Sequence, residues 1–236
     1  MRLRALACDY DGTIATDGRI APDTLAALER LRQTGRRVIL VTGRRVDDLI
    51  AVCPELAFFD MAVAENGAVL MDWRANRIEE LADPPPAAFL RRLAHVGVPF
   101  EAGRVVVATV IPHQAAVLSC IHTLGLDLQI VFNKEAVMVL PSGVSKESGL
   151  RQALGRLGIS PASTVAVGDG ENDQPLLACV GAGVAVANAV AEVTAAADFV
   201  TRQPNGAGVQ ELVAALLRDD LSGLAVPPRT ERSRSA

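Results

Sequence analysis

The chain has 236 residues, half of them hydrophobic, which is enough to bury a full core and excludes a disordered chain. Lys and Arg total 23 against 27 Asp and Glu, a net charge of −4 that speaks against a nucleic-acid partner but leaves room for a local basic site for a small anion. The apolar runs are strand-length, whereas a spanning helix needs about 20 apolar residues, so no membrane partner is expected.

From the N-terminus, Met1–Cys8 runs into Asp9 after a short apolar stretch, with no room for the apolar region of a signal peptide. A cytoplasmic chain is expected. Leu3–Cys8 reads as a buried strand, followed by a glycine-containing loop. Leu25, Leu28 and Leu31 recur at helical spacing, and Gly35 stops that helix. Val38–Val41 is a second strand, Val46–Val52 a helix and Met61–Ala64 a third strand. This alternation predicts a parallel sheet with right-handed crossovers. Asn66-Gly67 is a turn signal, and Ala68–Met71 with Arg77–Glu80 fits a small hairpin.

Asp83-Pro-Pro-Pro86 breaks the pattern. After it come a helix (Ala87–His95), extended runs at Val98–Phe100 and Arg104–Ile111, and a helix over His113–Leu124. Strands at Leu128–Phe132 and Ala136–Leu140 follow, joined by a turn at Asn133-Lys134. The order αββαββ is that of a small α+β unit. Pro141-Ser-Gly143 closes it, and the α/β alternation resumes. A helix at Glu147–Leu157 and a strand at Thr164–Val167 are followed by a short helix, Asn172–Cys179. Strands at Val184–Ala187 and Asp198–Thr201 then alternate with helices at Val190–Ala196 and Val209–Arg218. The expected architecture is α/β: a Rossmann-like parallel-sheet core built from 1–82 and 143–220, split by an α+β insertion at 83–142. A disordered tail is expected over 221–236.

In open α/β sheets, functional groups collect beyond the C-terminal strand ends. The first strand ends in Asp9-Tyr-Asp11-Gly-Thr13, and the second in Thr42-Gly43-Arg44. Lys146 opens the returning core segment, and the strand at Thr164 ends in Gly168-Asp169-Gly-Glu-Asn172-Asp173. Gly12 lets the chain turn back so that Asp9 and Asp11 can face one point. Two such carboxylates repel unless a cation or a proton joins them. With Asp169 they form a hard oxygen set that suits Mg²⁺. Taken alone, the Asp-x-Asp-Gly-Thr run also fits a calcium-like loop or a plain turn.

Of the 23 basic residues only Lys134 and Lys146 are lysines. At the return to the core, Lys146 looks chosen as a compact ammonium. Lys134, in a hairpin turn, reads as solvated, as do Arg44 and Arg45. Thr42 fits either a helix cap or, with the Gly43 amide, a grip on a phosphoryl oxygen. Four cysteines (Cys8, Cys53, Cys120, Cys179) without CxxC spacing, and three histidines, argue against a zinc site or a disulfide framework. In the insertion, the candidates to face a substrate are Arg104, His113, Asn133 and Lys134, although a solvated role fits Lys134 better. Few aromatics are available there to stack a nucleobase.

These motifs, in this order, resemble the haloacid-dehalogenase-like hydrolase superfamily, and within it the Cof-like phosphatase branch, whose cap is inserted between the second and third motifs. Glu65-Asn66-Gly67-Ala68, the Asn188 segment and Asp198–Thr201 also look like that branch. The short insertion resembles the cap of archaeal-type phosphoglycolate phosphatases. The resemblance implies Mg²⁺-dependent hydrolysis of a small phosphorylated metabolite, a sugar phosphate or a phosphoglycolate-like compound. Asp9 would be the nucleophile and Asp11 the acid and base. Thr42, Gly43, Lys146 and Asn172 would bind the phosphoryl oxygens. Asp9, Asp169 and the Asp11 carbonyl would hold the metal, with Asp173 supporting Lys146 and the metal waters. A phosphomutase shares both acids and is the alternative. A receiver-type phospho-acceptor fits less well, because its acceptor follows a middle strand and no insertion interrupts it.

Overall fold

The structure, a computed structural model, describes residues 2–223. In chain order the first half holds β1 (Ala5–Asp9), β2 (Ala15–Thr16), β3 (Arg19–Ile20), α1 (Pro22–Gln33), β4 (Arg37–Val41), α2 (Val46–Val52), β5 (Met61–Ala64), β6 (Val69–Asp72) and β7 (Arg77–Glu80). The insertion holds α3 (Ala87–His95), β8 (Glu101–Ala102), β9 (Val107–Val110), α4 (Gln114–Leu124), β10 (Leu128–Asn133) and β11 (Ala136–Pro141). Then come α5 (Lys146–Leu157), β12 (Thr164–Gly168), α6 (Gln174–Ala178), β13 (Ala182–Ala185), α7 (Ala191–Ala196), β14 (Phe199–Val200) and α8 (Asn205–Asp219).

One eight-stranded sheet runs β14-β13-β12-β1-β4-β5-β6-β7. It is parallel from β14 to β5 and antiparallel at β6 and β7. The period-two pattern of β1 explains why helices cover both faces. Leu6 and Cys8 pack with Leu28 and Leu31 of α1 and Val209 and Leu212 of α8. Ala5 and Ala7 pack on the other side with Leu150 and Leu154 of α5 and Leu176 of α6. The first strand therefore lies in the middle of the sheet, between β12 and β4, and three motif-bearing strand ends come side by side. The expected α/β class with a parallel-sheet core is borne out.

The insertion builds its own antiparallel sheet, β10-β11-β9-β8. Phe89 and Leu93 of α3 and Val117 and Ile121 of α4 cover one face of it. Its other face turns Met138 and Leu140 toward the main core. Val98–Phe100 is not a strand. Pro99 lacks the N–H a ladder needs, and its carbonyl instead accepts from the Thr109 hydroxyl at 2.6 Å.

Three further differences concern a hairpin, the start of the last helix and the start of the tail. The loop after Thr13 contains the small β2–β3 hairpin. Helix α8 starts four residues before the expected Val209, so Gly206 and Gly208 lie in its first turn. Gly206-Ala-Gly208 reads from sequence as a turn, but a side chain at 206 would strike Thr24, and one at 208 the Gln203 carbonyl and Thr201, so these glycines mark close packing. Leu221, placed by sequence in the tail, is fully buried, and Asp220 beside it pairs with Arg36 at 2.6 Å. Residues 224–236 lie outside the described residues. None of the described helices is long and apolar enough to cross a membrane.

Asp60 anchors the β4 side of the sheet. It is buried and accepts from the Val38 amide at 3.0 Å, Arg37 at 2.8 Å and Arg74 at 2.7 Å. Asp60→Ala leaves that amide and two guanidinium groups without their acceptor. The expected cost is about 2 kcal/mol in urea unfolding, with an unchanged denaturant slope.

Candidate active site

The site lies at the C-terminal ends of β1, β4 and β12, where the strand backbone runs out of partners and the side chains converge. Asp9 ends β1 and is 4% exposed. After it the chain reverses through Gly12, whose φ is +78° and whose missing Cβ would run into the Asp169 carboxylate. The turn is pinned from the far side, because the Asn188 amide donates to the Gly12 carbonyl at 2.8 Å.

Lys146 is the first residue of α5. Ser145 caps that helix by accepting from the Ser148 amide, so the start of the helix is fixed. The Lys146 side chain is 1% exposed, and its ammonium donates to Asp9 Oδ1 and to Asp173 Oδ1, both at 2.6 Å. Burial opposes that charge, but Asp173 and Asp9 outweigh it and hold the ammonium well above the ordinary lysine range. The second oxygen of Asp173 accepts from the Asp169 and Gly170 amides at 3.0 and 2.9 Å. Asp173 therefore ties the β12 loop to Lys146.

Asp9, Asp169 and Asp173 are all buried, and each offers an oxygen within 4.8 Å of the others. Burial, and then the Asp173 and Asp169 charges, push the Asp9 carboxyl up to about 8, with Lys146 acting in the opposite direction. Such a crowd of hard oxygen donors fits a divalent cation. A second sign is that a cation already sits there: the Lys134 ammonium donates to Asp169 Oδ2 at 2.9 Å. Burial opposes this charge too, yet the Asp169 hydrogen bond and the charges of Asp169, Asp9 and Glu171 raise the lysine above its ordinary value. Lys134, read from sequence as solvated, is instead half exposed and engaged with the cluster.

Asp11 points elsewhere. Arg44 forks it, Nε to Oδ2 and Nη2 to Oδ1, both at 2.7 Å, while the guanidinium lies 5.6 Å from the Tyr10 ring centre. The expectation of a solvated Arg44 is thus corrected. The partner that the adjacent strand end brings to it is a carboxylate, and a planar fork matches one.

Thr42 does not cap α2. Its hydroxyl oxygen accepts from the Arg44 amide at 3.1 Å, which leaves the O–H free to donate. Gly43 lies beside Asn172 and the Met138 side chain of β11. Asn172 donates one amide hydrogen to Asn66 Oδ1 at 2.9 Å, leaving its second hydrogen available. Thr42, Gly43 and Asn172 therefore offer donors along one edge of the carboxylate cluster.

One participant was missed as a side chain with a task. Glu65, with φ of +52°, is fully buried and accepts from the Arg104, Val105 and Val106 amides of the insertion at 2.8–2.9 Å. The signal lay in the Glu-Asn-Gly run, where Glu65 and Asn66 both take left-handed backbone and Gly67, at φ +107°, packs against the Ser145 carbonyl. For Lys134 the signal was the scarcity of lysine, which applied to both lysines and not to Lys146 alone. Arg104 itself lies 3.6 Å from Glu80, and His113 precedes α4 without a side-chain cap.

A family model described as haloacid dehalogenase-like hydrolase matches residues 6–84 and 121–213. A phosphoglycolate phosphatase of Methanoculleus marisnigri is 30% identical over 230 residues, covering 89% of this chain and 95% of that protein. One of Methanopyrus kandleri is 32% identical over 227 residues, covering 89% and 96%. Among solved structures, a haloacid dehalogenase-like hydrolase from Bacteroides thetaiotaomicron superposes with a TM-score of 0.77 at 20% identity. That match covers 91% of this chain and 99% of the other.

Proposed function

This chain belongs to the haloacid dehalogenase-like hydrolases, and on that premise we propose that it is a Mg²⁺-dependent phosphatase that hydrolyses a small phosphorylated metabolite through an aspartyl-phosphate on Asp9. The observation that carries the proposal is the buried Lys146 ammonium held at 2.6 Å by both Asp9 and Asp173. It fixes one carboxylate oxygen of Asp9, so that the other is left to attack. The relatives called phosphoglycolate phosphatase favour a phosphoglycolate-like substrate over a sugar phosphate.

In the first half-reaction Asp9 forms a bond to phosphorus as the bond to the leaving oxygen breaks. Asp11 gives that oxygen its proton. In the second, Asp11 takes a proton from water, the water oxygen attacks phosphorus, and Asp9 leaves as a carboxylate while inorganic phosphate departs. The Thr42 hydroxyl, the Gly43 amide, the free Asn172 hydrogen and Lys146 donate to the phosphoryl oxygens. Asp9, Asp169 and the Asp11 carbonyl would hold Mg²⁺, with Asp173 supporting its waters, and the ion would offset the negative charge shared by phosphate and carboxylates.

Asp11 cannot serve the leaving group while Arg44 occupies both of its oxygens, so this pair must open during turnover. Asp9 is also too buried for a substrate to reach, so the insertion acts as a cap that lifts and closes.

Hydrolysis of p-nitrophenyl phosphate is the test. Nitrophenolate release should require Mg²⁺, vanish in EDTA and return with excess Mg²⁺. Undiminished turnover in EDTA would sink the metal assignment. Inertness toward every phosphate monoester in a broad panel would sink the phosphatase itself.

A further inference from the structure

The chain has two lysines, and both reach the same carboxylate cluster. Lys146 is accounted for by Asp9 and Asp173. Lys134 has no part in the steps above. It sits at the tip of the β10–β11 hairpin in left-handed backbone, φ +54°, where its own amide donates to Glu171 at 3.1 Å. That contact fixes the hairpin tip over the β12 loop. Asn133 beside it presses on Gly170, where a side chain would strike its carbonyl oxygen. The Lys134 side chain remains 53% exposed, so it reaches Asp169 from the insertion rather than from the core.

If Asp169 helps to hold a divalent ion, the Lys134 ammonium must share or lose that partner. The charges of Asp9 and Glu171 remain nearby, but the ammonium loses its hydrogen-bonded anion, a place that a substrate anion can take. The phosphoryl oxygens already have donors, all of them from the core: Thr42, Gly43, Lys146 and Asn172. The part of a substrate that faces the insertion is its leaving portion. Other basic groups at this seam are committed elsewhere, Arg104 toward Glu80 and Arg45 toward Glu101. Uncharged hydroxyls would leave a half-desolvated ammonium poorly compensated, whereas a carboxylate matches it.

We propose that Lys134 is the specificity-determining residue of the insertion: its ammonium, held at Asp169 in the resting protein, binds a carboxylate on the leaving portion of the substrate. The proposal rests on the phosphatase reading of Asp9 and goes beyond it by assigning the chemical class of the leaving portion to one side chain.

The test uses two non-hydrolysable phosphonates and calorimetric titration of the Mg²⁺-loaded full chain. 3-Phosphonopropionate carries the carboxylate, and propylphosphonate has a methyl in its place. The native protein should prefer the first by about tenfold or more. In Lys134→Gln the ratio should fall to near one, and Lys134→Arg should keep most of it, with circular dichroism checking that both variants fold. Equal affinities in the native protein, or a preference that survives Lys134→Gln, overturn the proposal. Failure to bind either phosphonate overturns it too. Nitrophenyl phosphate turnover then separates the two failures: if it persists, only the Lys134 assignment is wrong, and if it is absent the phosphatase reading has fallen as well.

Discussion

Asp9→Asn should lower nitrophenyl phosphate turnover by about 10⁴-fold or more, because on the proposed mechanism Asp9 is the group that takes up the phosphoryl group. The same substitution should stabilise the metal-free protein at neutral pH. Burial and the Asp173 and Asp169 charges raise the Asp9 carboxyl to about 8 in the folded chain, against about 3.9 for a free aspartate. A carboxyl raised in this way binds its proton more tightly when folded, so its contribution is fully present below pH 4 and is lost as pH rises toward 8. Asparagine does not titrate and escapes that loss. The stability gap in EDTA, from urea unfolding at several pH values, should open between about pH 4 and pH 8 and reach roughly 2 kcal/mol in favour of the variant. A gap of constant size across that range would show that the crowding of Asp9 does not cost the fold anything.

Lys146→Met should have the opposite effect on stability while also destroying activity. It leaves Asp9 and Asp173 facing each other without the buried cation that joins them at 2.6 Å. Losing one partner of a buried ionic cluster costs about 3 kcal/mol, and the loss of charge at the phosphoryl site should lower turnover by about 10³-fold. Lys146→Arg should not restore turnover, since a planar fork cannot replace a compact ammonium fully enclosed between two carboxylates. Adding Asp9→Asn to Lys146→Met should recover part of the stability and none of the activity. Strict additivity of the two unfolding energies would count against the contact.

The sheet was legible because its strands carry dense apolar runs and its helices repeat at 3.6 residues. Leu25, Leu28 and Leu31 lie in α1 as their spacing required. Chemistry at strand ends was legible because Asp9, Thr42 and Asp169 each follow a run that can only be buried, while Lys146 stood out as a rare lysine at the start of the returning core segment. What was not legible depended on partners distant in sequence. Arg44 looked solvated because nothing local reveals that Asp11, 33 residues away, turns to meet it. Lys134 looked solvated because a hairpin tip is usually wet, and only the packing of the insertion brings it to Asp169, 35 residues on. Gly206 and Gly208 resemble a turn by composition, and the close approach of Thr24 that requires at least one of them is a tertiary fact.

The Glu65 carboxylate grips three consecutive backbone amides of the insertion, and every residue type except proline supplies one. The hydrogen bonds themselves are therefore indifferent to side-chain identity at 104–106, although Val105 and Val106 are also held by their burial in the main core. The clasp also sets an equilibrium. If the insertion lifts as proposed, these three bonds must break first, and a ligand that needs the open form binds only to the fraction of molecules in which they have let go. Measured affinity is then the intrinsic affinity scaled down by that fraction. On the mechanism proposed above, what the resting molecule gives up in capture it would recover in custody, since the same closure would keep stray solutes from the acyl-phosphate on Asp9.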